Sequence, residues 1–280
     1  MRSESRARRL TGLGISHLLL VLLTLVCIFP FLWMLDTALK PNSEVFAFPP
    51  RLAGSSVNWS DFAGAWNYVP FGQFMVNGAL VAGIGSLIVL ATSSLSGYAF
   101  ARIRFPGRET LFVAYLGTLV VPQEVVVVPM FLLMKYFGWV NSYQALILPW
   151  AFTAFGTFLM RQFFRSIPAE VEEAAVIDGA SRLRILWAIM VPLARPALGV
   201  LAVFTFINYW NSFLWPLIIV NTQDTATVPL GLSMFHGQYG TQWNYMMAAS
   251  AISMLPSTLL VVFLQRYLVQ GIALTGLTGR

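Results

Sequence analysis

The chain has 280 residues, 58% of them hydrophobic and only 10% charged. Soluble domains run at about 25% charged, so the composition excludes a large water-soluble domain and is that of a polytopic membrane protein. The formal net charge is +6 and the single cysteine is Cys27. The placement of the basic residues accounts for the charge without nucleic acid, and one cysteine excludes an internal disulfide framework or a cysteine-based metal site.

The N-terminus has the basic start and apolar run of a signal peptide, but the run extends from Leu13 to Leu35, with His17 its one sizeable polar interruption. That length crosses a hydrocarbon core of about 30 Å at about 1.5 Å per residue. No clear small-x-small cleavage site follows, so it reads as a retained first membrane helix. Five more apolar runs give six predicted transmembrane helices, at about 13–36, 76–100, 110–134, 143–164, 197–220 and 245–266. The expected fold is an all-α polytopic membrane protein, a single transmembrane domain over residues 1–280. Lys and Arg placement sets its orientation. With the N-terminus inside, the inner face holds fourteen arginines, from Arg2 through Arg102, Arg161 and Arg195 to Arg280, against Lys40, Arg51 and Lys135 outside. Both termini are then cytoplasmic, and the basic excess faces anionic inner-leaflet lipid.

Residues 37–75 form the first outer segment. Its prolines and glycines argue against a long helix, and Phe46, Phe48, Trp59, Trp66 and Tyr68 suit either an aromatic belt or a docking surface. Span two carries small residues four apart, Ala79 and Gly83, Ala82 and Ser86, Ser93 and Gly97, which let helices approach closely. Span three contains Pro122 and Pro129, which interrupt helical hydrogen bonds. Broken helices at membrane depth are tolerated where they are buried or line a water-filled path. Glu124, near mid-span beside Gln123, is expensive to ionise there and is a candidate pathway residue, or a glutamate satisfied by a neighbouring helix or held protonated. In span five, Asn208, Asn211 and Trp215 fall at i, i+3 and i+7, one face of a helix. Their amides and indole could bond and stack on a polyhydroxylated solute, or bond between helices. Residues 221–244, with Gly231, Gly237 and Gly240, read as a mobile outer loop.

Catalytic chemistry is missing from the sequence. His17 and His236 fall near opposite faces, and no His, Cys and carboxylate cluster has metal-ligand spacing. There is no GxxxxGK[ST] phosphate loop and no GxSxG elbow. The chain is not expected to be an enzyme or to hold a cofactor.

Loop 165–196, between spans four and five, concentrates the charge: Arg165, Glu170, Glu172, Glu173, Asp178, Arg182, Arg184 and Arg195. Pro168 suits the first turn of a helix, and the glutamates then lie near its positive end. Val171, Ala174 and Ala175 supply an apolar side. Gly179 can take the positive φ that ends the helix. Ser181 can cap a second helix running to about Val191, before Pro192. The expected result is two short cytoplasmic helices, the first with small alanines that suit a groove on another protein.

Glu173-Ala174-Ala175, then Gly179, then Val191-Pro192 resemble the EAA motif of the permease subunits of bacterial ABC importers, with Val191 where Ile or Leu is usual. Leu39-Lys40-Pro41, Gly97-Tyr98-Ala99-Phe100-Ala101-Arg102, Phe105-Pro106-Gly107-Arg108, Arg161-Gln162-Phe163-Phe164 and Trp210-Asn211 are similar to the carbohydrate-uptake branch, in its second maltose-type permease group. The tail Gly276–Arg280 lacks the Lys-Gly that often ends relatives. The resemblance implies a multi-pass subunit of the bacterial cytoplasmic membrane. It would work with a homologous second permease, two ATPase subunits that bind ATP and Mg, and an extracytoplasmic solute-binding protein. Glu173, Ala174, Ala175, Asp178, Gly179 and Pro192 would form the ATPase-coupling loop, with a coupling helix between spans four and five. Gln123, Glu124, Asn208, Asn211 and Trp215 would be candidates for the path of a sugar. Two alternatives stay open: the same role for a glycerol-phosphate-type or other polar solute, and a proton-coupled secondary transporter using Glu124.

Overall fold

The structure is a computed structural model that describes the backbone of residues 2–52, 54–237 and 240–277 and the side chains of residues 13–52, 54–236 and 240–268. In chain order the helices are α1 (Arg2–Leu39), α2 (Ser60–Tyr68), α3 (Phe71–Arg102), α4 (Arg108–Gly117), α5 (Gln123–Tyr136), α6 (Tyr143–Ile147) and α7 (Ala154–Ser166). They continue with α8 (Ala169–Ile177), α9 (Arg182–Ile185), α10 (Val191–Leu193), α11 (Arg195–Trp210), α12 (Leu214–Ile219), α13 (Val228–Ser233) and α14 (Trp243–Leu277). Among the described residues the only strand pairing is the antiparallel pair His236–Gly237 with Gly240–Thr241.

Among the described residues three segments are long and apolar enough to cross a membrane, Leu13–Leu39, Phe71–Arg102 and Trp243–Leu268. Three further candidates are bent pairs: Arg108–Val120 with Gln123–Tyr136 at 100°, Tyr143–Trp150 with Ala154–Ser166 at 48°, and Arg182–Leu193 with Arg195–Trp210 at 82°. The described residues therefore hold three to six candidate spans, and the middle three are bent, a break that the sequence led us to expect in the third. Pro122 causes the sharpest bend. It holds Val121 extended, at φ −76° and ψ 115°, because its ring disfavours the α region for the residue before it. Pro129, by contrast, sits inside α5. The fifth predicted span, 197–220, divides after Trp210 into α11 and the short α12.

The described chain forms two compact units. In the first, Met1–Val69 with Met234–Ile252, the segment after α1 is folded on its own polar contacts. The Lys40 ammonium meets the Asp36 carboxylate and the Arg51 carbonyl. The Asn244 amide donates to Asp61 at 2.9 Å, and Trp243 N–H donates to the Asn42 side chain at 3.0 Å. Tyr68 stacks on Phe235 and Trp59 on Phe62, although Trp59, like Phe48, stays largely exposed.

In the second unit, Pro70–Ser233 with Ser253–Arg280, α3 is the central helix and packs on α7 and α11. A Cβ on Gly97 would lie 2.6 Å from Met160 Cβ and 3.0 Å from the Arg161 nitrogen, so α3 and α7 meet there nearly backbone to backbone. Ala82, Ser86, Ser93 and Gly97 are buried in this packing, whereas nothing lies within 4 Å of a Cβ built on Gly83. Two of the three small pairs thus serve packing inside the chain. The loop expected to be mobile is tied down over its first half. The Asn77 amide, buried near the N-terminal end of α3, donates to the Asp224 and Ala226 carbonyls, both at 2.8 Å, and accepts from the Tyr143 hydroxyl at 2.7 Å. Gly231 lies in α13 against the Phe74 ring. Of the tail, Thr278–Arg280 lie outside the described residues.

Candidate functional site

The charged loop folds into the two helices that its punctuation implies. Pro168 is the N-cap of α8, at φ −54° and ψ 141°, one position before the helix where it was expected. Gly179 closes α8 at φ +76°. Its N–H donates to the Val176 carbonyl at 3.0 Å, and the Ala180 N–H donates to the Ala175 carbonyl at 2.9 Å. That bond pair is the Schellman ending, which needs a left-handed residue and so favours glycine. Ser181 caps the next helix by accepting from Arg184 N–H at 3.4 Å. This second helix does not stop at Val191. It widens to a π-turn over Leu186–Met190 and continues through Pro192 to Leu193. Proline cannot bond to the carbonyl four residues back and crowds it, and the wider turn relieves both conflicts.

The buried face of α8 is not the one its apolar residues suggested. Ala175 faces inward, Ala174 faces solvent, and Glu172 is buried at 8% exposure. The Tyr98 hydroxyl and the Arg182 guanidinium donate to Glu172 Oε1 at 2.7 and 2.8 Å. Arg102 Nε stands 3.5 Å from Oε2. A buried carboxylate is tolerable only when paired and hydrogen-bonded in this way. Arg102 also donates to the Phe164 carbonyl at 2.8 Å and to the Ile167 carbonyl. The C-terminal end of α3, through Tyr98 and Arg102, therefore holds both the C-terminus of α7 and the body of α8. A cleft of about 640 Å³ opens beside this knot, lined by Arg102, Arg104, Arg108, Glu173 and Arg182 among others. Glu173, Val176, Ile177 and Asp178 are left pointing outward.

A second arginine fastens the neighbouring elements. Arg161, buried in α7, donates to both Glu109 oxygens of α4 at 2.8 and 2.6 Å. Its Nε donates to the Phe100 carbonyl at 3.2 Å, and its guanidinium lies 3.9 Å from the Phe112 ring centre. Sequence reasoning passed over Tyr98, Arg102, Glu109, Arg161 and Glu172 as site residues. The available signal was the pair of adjacent acids Glu172 and Glu173, which a helix sets about 100° apart, so that a face buried through Ala175 takes in Glu172 and leaves Glu173 outside.

The membrane-depth candidates separate. Gln123 and Asn208 line one cavity of about 540 Å³, together with Val89, Thr118, Trp150, Phe204 and Thr205 among others. Glu124 does not line it and occupies the first turn of α5. Asn211 is the C-cap of α11 and is exposed. Trp215 belongs to α12, is 1% exposed, and donates its indole N–H to the Ala145 carbonyl at 2.8 Å. The single polar face drawn through Asn208, Asn211 and Trp215 therefore does not exist. Its spacing assumed a continuous helix, and α11 ends at Trp210. Among the described residues, no three His, Cys, Asp or Glu side chains are grouped to hold a metal.

Residues 93–274 match the family described as Binding-protein-dependent transport system inner membrane component. The chain is 37% identical over 270 residues to the sn-glycerol-3-phosphate transport system permease protein UgpE of Pectobacterium atrosepticum, over 93% of this chain and 96% of that one. It is 34% identical over 291 residues to the Trehalose/maltose transport system permease protein MalG of Thermococcus litoralis, over 100% of both. A crystal structure of a bacterial ABC transporter involved in the import of the acidic polysaccharide alginate has the same fold, with a TM-score of 0.81 at 22% identity over 94% of this chain and 98% of that one. The chain belongs to the binding-protein-dependent transport system inner membrane component family, the multi-pass permease subunits of ABC importers, which are transport subunits rather than enzymes and rely on separate ATPase subunits to bind ATP.

Proposed function

We propose that this chain is one of two homologous permeases of a binding-protein-dependent importer, and that it moves a sugar or related polar solute inward by alternating access. In this reading residues 1–280 form one transmembrane domain of six spans, three of them bent, with both termini inside and loop 165–196 as the coupling loop. The cargo class draws support from the relatives, one named for trehalose and maltose and one for glycerol 3-phosphate.

The observation that carries the mechanism is the two-sided nature of α8. One side is locked to α3 by Glu172, and the other leaves Glu173, Val176 and Ile177 outward. A helix that is firmly held yet offers apolar and acidic groups is suited to sit in a groove of an ATPase subunit, as the EAA residues Glu173, Ala174 and Ala175 imply. Closure of the ATPase pair would then displace α8, with Gly179 and Pro192 bounding the moving part. The Glu172 knot would pass the displacement to α3, and Arg102 would pass it to α7. Helices with two discrete packings carry such coupling.

The test is co-purification and uptake with Glu173→Lys and Gly179→Pro. Each is expected to lose the ATPase or to uncouple hydrolysis from transport. Full assembly and full transport in both would remove the coupling role from this loop.

A further inference from the structure

We infer that the second loop helix, Arg182–Leu193, lies in the surface of the inner leaflet, with Leu183 and Trp187 sunk among the acyl chains and Arg184 and Arg195 on the headgroups of anionic phospholipid. The inference rests on the permease reading and its inside-start orientation.

Geometry places the helix. It joins α11 through Ala194 alone and meets it at 82°. Transmembrane helices tilt by about 20° from the bilayer normal. A segment nearly perpendicular to span five therefore lies within about 30° of the membrane plane, at the level where that span leaves the bilayer. At about 1.5 Å per residue it runs for about 18 Å along that surface.

The helix has two unlike faces. Ile185, Leu186 and Met190 are buried against the rest of the chain. On the other side Leu183 and Trp187 are 61% and 45% exposed. They stand four apart and share one stripe, and Arg184 follows about 100° round the helix. Leu193, at the end of the helix, is also exposed. Neither the Arg184 nor the Arg195 guanidinium has a hydrogen bond or an ion pair among the described residues. Apolar side chains beside unpaired cations, on a helix lying in the plane, are the mark of an interfacial helix. Tryptophan belongs at that level, its ring apolar and its N–H polar. An arginine stem lies along the acyl boundary while its head reaches the phosphates.

Charge selects lipid over a protein groove for this helix. α8 carries Glu170, Glu172 and Glu173, followed by Asp178, and no basic residue. Residues 179–196 carry Arg182, Arg184 and Arg195 and no carboxylate. Arg182 is engaged by Glu172, which leaves Arg184 and Arg195 exposed and unpaired. The surface of the inner leaflet is negative. It attracts the second helix and repels the first. One loop thus presents a protein-binding helix and a lipid-binding helix on either side of Gly179.

The test is nitroxide labelling of Trp187→Cys in a Cys27→Ser background. It uses the complete transporter in phosphatidylcholine vesicles, with or without phosphatidylglycerol, before and after the ATPase is stripped. The label should collide with oxygen, which dissolves in the membrane, and escape a water-soluble nickel complex. Its depth should be roughly 5–10 Å below the phosphates, with or without the ATPase. In vesicles with phosphatidylglycerol, Arg184→Gln should raise the nickel-accessible fraction about fivefold, the weight of one arginine at an anionic surface. In phosphatidylcholine alone it should change nothing. An Ile177→Cys label is the control, open to nickel in stripped vesicles and covered when the ATPase is bound. Nickel contact at Trp187→Cys that the ATPase abolishes would give this face to the ATPase and overturn the inference. A label hidden from both reagents would give it to the partner permease. A depth indifferent to phosphatidylglycerol and to Arg184→Gln would remove the anionic headgroup. Failure of the Ile177→Cys label to respond to the ATPase would instead strike the coupling reading, whatever the other label shows.

Discussion

Removing the Glu172 carboxylate should uncouple the importer without detaching its ATPase. In Glu172→Ala, Tyr98 loses its acceptor at 2.7 Å and Arg102 loses the carboxylate 3.5 Å from Nε. Both sit at the buried inner end of α3, where the Arg102 side chain is 14% exposed. Stranding one partner of a buried charged network costs about 3–5 kcal/mol. Arg182, whose side chain is 61% exposed, regains water and adds little. The lower figure, about 3 kcal/mol, already shifts the docked position of α8 on α3 by roughly a hundredfold. Glu173 and the outward face of α8 are untouched, so the ATPase should still co-purify. The assay is solute uptake and ATP hydrolysis measured together in proteoliposomes. The expected result is a fall in solute moved per ATP, with partial recovery in Glu172→Gln, which keeps an acceptor for Tyr98. A Glu172→Ala transporter with the wild-type ratio would refute the idea that this carboxylate passes motion from α8 to α3.

Other outcomes follow from the same contacts. Gly179→Ala should destabilise the loop by about 1–2 kcal/mol, the cost of a left-handed residue with a Cβ, and by no more, because nothing lies within 4 Å of that Cβ; thermal unfolding in detergent reads the change. Gly97→Ala should lower the melting temperature despite alanine's better helix propensity, because its Cβ meets Met160 at 2.6 Å and overpacking costs about 1–3 kcal/mol. In the outer segment, hydrogen bonds from the Ser55 hydroxyl and backbone N–H, then the charges of Arg51 and Lys40, hold the Glu44 carboxyl below the usual glutamate range despite some desolvation. Its contribution is present above that usual range and is lost as pH falls through the depressed value. The protection factor of the Ser55 amide, exchange corrected for its intrinsic pH dependence, should therefore fall on acidification in the wild type and be low and flat with pH in Glu44→Gln.

The fold of loop 165–196 was legible because its signals are local. A glycine that must go left-handed, a serine placed to cap and a proline that cannot continue a ladder each act within four residues, so Gly179 and Ser181 fell where the sequence put them. The bend at Pro122 was legible for the same reason. What holds α8 was not, because Tyr98 and Glu172 are 74 residues apart and an acidic run reads as a solvated face. The face through Asn208, Asn211 and Trp215 failed because helical spacing projects only across an unbroken helix. Pro216 implies a kink at that end of the span, but not a break as early as Trp210. Family resemblance reached further than periodicity did: the EAA pattern implies a role for the loop that spacing alone does not, while only the fold could show that Glu172, one residue before the motif, faces inward.

The central claim is that the outward face of α8 seats an ATPase subunit on the inner side of the membrane. Ile177, 85% exposed at the end of α8, is the reporter. With Ile177→Cys in a Cys27→Ser background, a membrane-impermeant maleimide should leave intact cells unlabelled. It should label inverted vesicles stripped of the ATPase and stop labelling when the ATPase is added back. Labelling from outside intact cells, or labelling of inverted vesicles that is indifferent to the ATPase, would contradict the account.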